Sequence, residues 1–339
     1  MEYMKKIVSG LAAAFLIVSC TMSSPIQNVI IDTDLGNDVD DALAMDLAWK
    51  YVEDGRINLL GYCLSKGGTA PAEYADIVNT FYGYPDTPVG IIRNGADPDN
   101  GAPNFAKTVA GMKDELGRPL FQRSISDYEA LPEATLLYRK LLSGAADKSV
   151  DIVSIGFSTN LQRLLETGSD EYSELSGREL VAKKVNRLVM MAGNFIDPEF
   201  CEFNVRIDVE AARSVFEQWP TPIITSPFEL GKKTCYPATS IENDFTWTEH
   251  HPVVEAYKVY KPMPHDRPMW DPTALLYAVE GEKYFSLSPV GDIKVSQKGT
   301  TSFVPNPNGR CRYLIADKHQ SEAMVNYFVN VISRKPQGK

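Results

Sequence analysis

Cysteine is scarce in this sequence: five in 339 residues, with no CxxC pair and no zinc-ligand spacing among them. The spacing assigns no metal or redox chemistry to any of them, and Cys63, within an apolar strand-like run, reads as a core residue. No block of lysine and arginine interrupts a net charge of −10, which argues against nucleic acid as a partner. No internal repeat or low-complexity tract appears, and no apolar run is long enough to cross a bilayer as a mature helix. What is present is ordinary for a soluble globular protein, 44% hydrophobic and 23% charged, in a chain long enough for a large core.

The first twenty residues stand apart. Lys5 and Lys6 precede an apolar stretch from Ile7 to Val18, followed by Ser19 and Cys20. The ending Ile17-Val18-Ser19-Cys20 resembles a bacterial lipobox, in which the cysteine is lipidated and becomes the first mature residue. The expectation is a lipoprotein signal peptide over 1–19 and one soluble domain over 20–339. That domain would be exported and held at a membrane, in the periplasm or at the cell surface, through lipid on Cys20.

Strand-like and helix-like patterns alternate along the rest. Strands are expected at 27–34, 57–64, 88–92, 150–156, 186–192 and 221–225, with helices near 41–52, 71–82, 132–144, 159–167 and 208–218. Such alternation predicts an α/β fold with a mostly parallel central sheet and helices on both faces. The segments 93–130, 193–207 and 226–270 read as long loops, the last holding His250, His251 and His265. Short strands over 290–316 and a closing helix over 319–333 complete the chain.

The densest chemical signal lies at the end of the first strand. Asp32, Asp34, Asp38, Asp40 and Asp41 fall within ten residues, between the buried run Val29-Ile30-Ile31 and the helical pattern opened by Ala42-Leu43-Ala44. Aspartates cap helices and offset the helix dipole, which accounts for Asp38, Asp40 and Asp41. It does not account for Asp32 and Asp34 on the strand side of Gly36. So much negative charge in one turn calls for a counter-charge, and a hard cation, Ca²⁺ or Mg²⁺, suits a set of oxygen ligands. An EF-hand is excluded, because Gly36 is fifth from Asp32 and that loop needs glycine sixth.

Four segments then resemble one family in order and spacing. Asp32-Thr33-Asp34-Leu35-Gly36-Asn37-Asp38-Val39-Asp40-Asp41-Ala42 is similar to the amino-terminal DTDPGxDDAxA signature of the inosine–uridine-preferring nucleoside hydrolases. Gly156-Phe157-Ser158-Thr159-Asn160-Leu161 resembles the family's GxLTNLA turn, Glu202-Phe203-Asn204 opens a segment like EFNxxxDPEAA, and Trp270-Asp271-Pro272 resembles the late HDP or WDP motif. The DxD of haloacid-dehalogenase-like phosphohydrolases would match Asp32-Thr33-Asp34 but leaves the other segments unexplained.

The resemblance implies an enzyme that hydrolyses the N-glycosidic bond of ribonucleosides with Ca²⁺. Asp34 would ligate the cation and act as general base on a metal-bound water. Asp41, the Ile155 carbonyl and Asp271 would complete the protein ligands, with Asp40, Glu202 and Asn204 beside the sugar. Trp270 stands where many members carry histidine, and its stacking surface implies a purine base. Two departures mark this chain. Three residues separate Gly36 from Asp40, where the usual motif has one, so the second ligand is Asp41 by alignment on Ala42-Leu43-Ala44 and Asp38 by counting from Gly36. The exit of the second strand, Ser65-Lys66-Gly67-Gly68, lacks the family's substrate-contacting asparagine.

His265 is the histidine best placed to protonate a leaving base. Arg93 and Lys66 could meet an anionic substrate group, or simply pair with acids. The competing reading is a non-catalytic or altered-substrate lipoprotein that binds a nucleoside or sugar and retains the metal site. A homo-oligomer is compatible with the sequence, which does not specify one.

Overall fold

The computed structural model describes residues 26–98 and 101–337. The expected leader and Cys20 lie outside the described residues, and among the described residues no helix is long and apolar enough to cross a membrane.

The amino-terminal half runs β1 (Gln27–Thr33), α1 (Asp40–Glu53), β2 (Ile57–Leu64), α2 (Ala70–Tyr82), β3 (Val89–Gly90), α3 (Phe105–Ala110), α4 (Ala134–Gly144), β4 (Val150–Ser154) and α5 (Thr159–Glu166). It continues through α6 (Gly177–Lys184), β5 (Val185–Met191), α7 (Phe203–Ile207), α8 (Val209–Gln218), β6 (Ile223–Ser226), α9 (Phe228–Gly231), β7 (Cys235–Tyr236), α10 (Ala238–Asn243) and α11 (Pro252–Tyr260). The last part holds β8 (Arg267–Pro268), α12 (Trp270–Glu280), β9 (Ser286–Leu287), β10 (Gly291–Val295), β11 (Thr301–Pro305), β12 (Cys311–Ile315) and α13 (Lys318–Ile332).

One ten-stranded sheet has the order β11-β10-β12-β6-β5-β4-β1-β2-β3, with β9 against β12. The strands from β3 across to β12 pair in parallel, while β9, β10 and β11 join antiparallel. Alternate residues serve opposite faces, as the two-residue period of a strand requires. Val29, Ile31, Val153 and Val189 join the core that includes α1, α2, α12 and α13. Ile30, Ile152, Leu188 and Met190 join the core that includes α4, α5, α6 and α8. The expected α/β sheet with helices on both faces is therefore the observed one.

The long loops expected from the sequence contain more structure than periodicity revealed. The stretch 93–130 holds α3, whose first turn is capped by Asn104 accepting from Lys107 N–H at 3.0 Å. The stretch 226–270 holds α9, α10 and α11 and the short β7–β8 pair. Helix α6 was not expected at all, although Ser176 and Glu179 form a reciprocal capping box at its start. These helices have one to three turns each, too few to show a clear 3.6-residue repeat.

β1 lies between β2 and β4, so the chain winds outward to β3 and then reverses across β1 to β4. Such a reversal opens a crevice at the carboxyl ends of the two strands. Asp34 follows β1 there and Ile155 follows β4.

Candidate active site

A cavity of about 180 Å³ opens at this crevice. Asp34, Asp38, Asp40, Asp41, Ile155, Glu202, Asn204, Trp270 and Asp271 all line it, joined by Asn37, Met191, Phe203 and Phe228. Three of the four sequence segments thus line it, and Ile155, just before the fourth, joins them, although most of the chain separates the first from the last.

The turn after β1 is set by Gly36, whose φ of 111° suits glycine. Across the crevice, a Cβ at Gly156 would fall 2.6 Å from the Asp34 nitrogen, so only glycine lets the β4 exit approach this closely. Asp32 is turned away from the cavity. It accepts from the Tyr138 hydroxyl and the Asn160 amide, both at 3.0 Å, on the Ile30 face of the sheet. Alternation alone would put Asp34 on that same face, but β1 ends at Thr33 and the turn that follows carries Asp34 to the cavity.

Asp34 Oδ2 accepts from Asn37 Nδ2 at 3.0 Å. Asp41 accepts from the Thr33 hydroxyl. Asp40, at the start of α1, accepts from the backbone N–H of Asp271 in the first turn of α12 at 3.0 Å. Burial pushes the Asp34 carboxyl up to about 6, with Asn37 and Lys66 opposing the rise and Asp40 adding to it. Burial likewise carries Asp40 up to about 7 against the backbone N–H groups of Asp271 and Trp270. Asp41 and Asp271 are raised further, first by burial and then by the charges of their acidic neighbours.

Glu202 caps α7 and accepts from the N–H groups of Asn204 at 2.8 Å and of Gly193 and Val205 at 3.2 Å. Burial still raises it to about 7. Asn204 donates to the carbonyls of Met191 at 3.1 Å and Ile155 at 3.4 Å. Trp270 donates its indole N–H to the Phe228 carbonyl at 2.8 Å and stacks on the Phe228 ring at 5.2 Å. Phe200 lies on the other neighbour of this ladder, 4.4 Å from Phe228, and the Arg267 guanidinium sits 5.0 Å over the indole.

Among the described residues no group of three acidic, histidine or cysteine side chains is drawn together tightly enough to hold a metal ion outright. The donor set nonetheless suits a hard cation. Five buried carboxylates and a main-chain carbonyl share one cavity, and burial first, then repulsion from acidic neighbours at Asp34, Asp41 and Asp271, raises their pKa values. The bases beside the cavity are engaged elsewhere, Lys66 on Asn37, Pro98 and Asp97, and Arg267 on Asp38.

Residues 29–333 match the family model of the inosine-uridine preferring nucleoside hydrolases. The chain belongs to that family. It is therefore a hydrolase of N-glycosyl bonds. No curated protein matches it by sequence. Among solved structures it is similar to an inosine-guanosine nucleoside hydrolase at 17% identity and TM-score 0.67, covering 90% of this chain and 97% of the other. It is also similar to the purine-preferring ribonucleoside hydrolase from Gardnerella vaginalis at 16% identity and TM-score 0.66, covering 91% and 98%. The inosine-uridine preferring nucleoside hydrolase from Bacillus anthracis aligns at 16% identity and TM-score 0.65, covering 90% and 100%. At these identities the likeness is one of fold.

Three sequence candidates do not line the cavity. The His265 ring stacks on Tyr257 at 4.3 Å, and its Nε2 lies 3.3 Å from the Tyr257 carbonyl. Arg93 is exposed and donates to the carbonyls of Glu129 and Leu131, both at 2.9 Å. Lys66 is buried with its ammonium fully engaged. Conversely, Asn37, Phe228 and Met191 were not singled out by sequence reasoning. Met191 and Phe228 sit where β5 ends and β6 gives way to α9, the positions the open-sheet rule marks once the strands are known.

Proposed function

We propose that this nucleoside hydrolase cleaves ribonucleosides to free base and ribose with Ca²⁺ as cofactor and Asp34 as general base. The convergence of Asp34, Asp41, Asp271 and the Ile155 carbonyl on one cavity, beside Glu202 and Asn204, supports this reading more than any other observation. Asp34, Asp41, Asp271 and the Ile155 carbonyl would hold the cation. When bound, the cation lowers the pKa of a water and organises the sugar diol.

Asp34 takes a proton from the attacking water as its oxygen bonds to the anomeric carbon. The bond to the base nitrogen breaks with its electron pair passing to the base, which takes up a proton from water to leave as the free base. The raised pKa of Asp34 suits its acceptance of a proton near neutral pH. Asp40, Glu202 and Asn204 hold the ribose, and the surrounding carboxylates favour the positive charge that develops on the sugar. Trp270 and Phe228 offer a flat apolar wall, which favours a purine over a pyrimidine. The purine-preferring relative of similar fold is consistent with that choice. We read residues 1–19 as the export signal and lipidated Cys20 as the membrane anchor of this enzyme.

A screen of purine and pyrimidine ribonucleosides for released ribose, with Ca²⁺ and with chelator, tests the proposal. Release from purine nucleosides that stops on chelation is expected. Calcium-dependent binding of a nucleoside without any release would instead favour a binding lipoprotein.

A further inference from the structure

We propose that Lys66 and Asn37 are positioning residues that together hold the Asp34 carboxylate in its working orientation, a role that rests on the reading of Asp34 given above. The chain of contacts is short and directional. Lys66 Nζ donates to Asn37 Oδ1 at 2.7 Å, and Asn37 Nδ2 donates to Asp34 Oδ2 at 3.0 Å. An ammonium only donates and a carboxylate only accepts, so one orientation of the amide between them satisfies both. Asn37 is thereby fixed without ambiguity, its carbonyl toward the lysine and its amide nitrogen toward the base.

Lys66 is itself held. Only 3% of it is exposed, and its ammonium finds Asn37, the Pro98 carbonyl at 3.0 Å and the Asp97 carboxylate at 2.7 Å. Three acceptors match its three donors, so burial of the charge is compensated. Its backbone position is anchored too, since the preceding Ser65 N–H donates to the Thr33 carbonyl at 2.9 Å, extending the β1–β2 pairing. A lysine in this setting is not available to an anionic substrate; it braces the loop that carries the base.

Both members come from the places where this chain departs from its family's motifs. Asn37 belongs to the lengthened turn between Gly36 and Asp40, and Lys66 occupies the β2 exit that lacks the expected asparagine. The two departures are one feature: the longer turn supplies an amide, and the β2 exit supplies the cation that orients it.

Lys66→Met, Asn37→Leu, their double variant and Lys66→Arg test this in the full chain. Lys66→Met is expected to lower kcat by roughly 10–100-fold, with KM nearly unchanged and Ca²⁺ affinity by calorimetry reduced by a similar factor. The double variant should be no worse than Asn37→Leu alone, because both act through one contact chain. Lys66→Arg should recover most of the loss. Wild-type kcat and Ca²⁺ affinity in Lys66→Met, or losses that multiply in the double variant, would overturn the proposal. Should the wild type hydrolyse no nucleoside and bind no Ca²⁺, the functional reading fails, and crystal structures then judge the brace separately. An Asp34 carboxylate rotated in Lys66→Met but not in wild type supports it, and an unmoved carboxylate refutes it.

Discussion

Asp40 accepts a hydrogen bond from the backbone N–H of Asp271 at 3.0 Å, joining residues 231 positions apart. The bond seats the first acid of α1 on the amino terminus of α12, where free N–H groups and the helix dipole favour a carboxylate. It brings the early and late acidic segments to the same cavity, and two consequences of that cavity can be measured, beside two predictions for other parts of the chain.

Asp34→Asn keeps the side-chain size and a carbonyl oxygen but removes the base. The loss of a general base lowers kcat by about 10²–10⁴-fold. KM for the nucleoside should move far less, because Glu202 and Asn204 remain. Steady-state kinetics on the best purine nucleoside decide it, and a kcat within a few-fold of wild type would assign the base elsewhere.

Calcium should raise Tm, and the rise should grow with pH. The folded pKa values of Asp34 and Asp40, about 6 and about 7, stand above an unfolded value near 3.9. Without a cation their stabilising effect is therefore present below about pH 4 and lost as pH rises through 6 to 7. A cation that binds only the native state reverses this loss, contributing about 2.7 kcal/mol at a hundredfold excess over Kd. Thermal scans between pH 5 and 8, with Ca²⁺ and with chelator, should diverge with increasing pH. Parallel curves would count against a carboxylate metal site.

Asp76 on α2 provides the opposite sign. It accepts from the N–H groups of Ser124 at 3.0 Å and Ile125 at 2.9 Å and from the Tyr128 hydroxyl at 2.7 Å, pinning the segment before α4. Burial would raise its pKa, but these donors outweigh it and hold the carboxyl below its ordinary value. Its contribution is present above the unfolded value near 3.9 and is lost as pH falls through the folded one. Asp76→Asn should cost about 1–3 kcal/mol at neutral pH and less in acid. Urea denaturation at pH 7 and pH 3 measures the difference, and an equal cost at both would sink the assignment.

Cys20→Ala should abolish lipid labelling and release the protein from the membrane fraction of cells that express it. Continued sedimentation with membranes would show that the lipobox reading is wrong.

The aspartate-rich strand–turn–helix was legible in the sequence because every part of its signal is local. An apolar run, a turn glycine and a helical pattern follow one another within a few residues. Alternation would put Asp32 and Asp34 on one face, and only the end of β1 at Thr33 parts them. The motif segments around Glu202, Asn204 and Asp271 were legible for the same reason, and the cavity collects all of them. Short elements were not. α6 and α11 have too few turns for periodicity, although the capping box at Ser176 and Glu179 and the proline at the start of α11 mark where each begins.

What the tertiary structure decided is which distant groups meet. His265 stacks on Tyr257 outside the cavity lining, whereas Phe228 forms its wall, and neither outcome follows from residue type or spacing. Lys66 read as a partner of surface acids before a substrate contact, and only the β1–β2 pairing carried it beside Asn37. Local patterns encode where strands and helices start and which face each residue takes. The strand order, with its reversal between β1 and β4, depends on burying both faces of the sheet at once, and that long-range condition brought Ile155, Glu202 and Asp271 to the cavity that Asp34 lines.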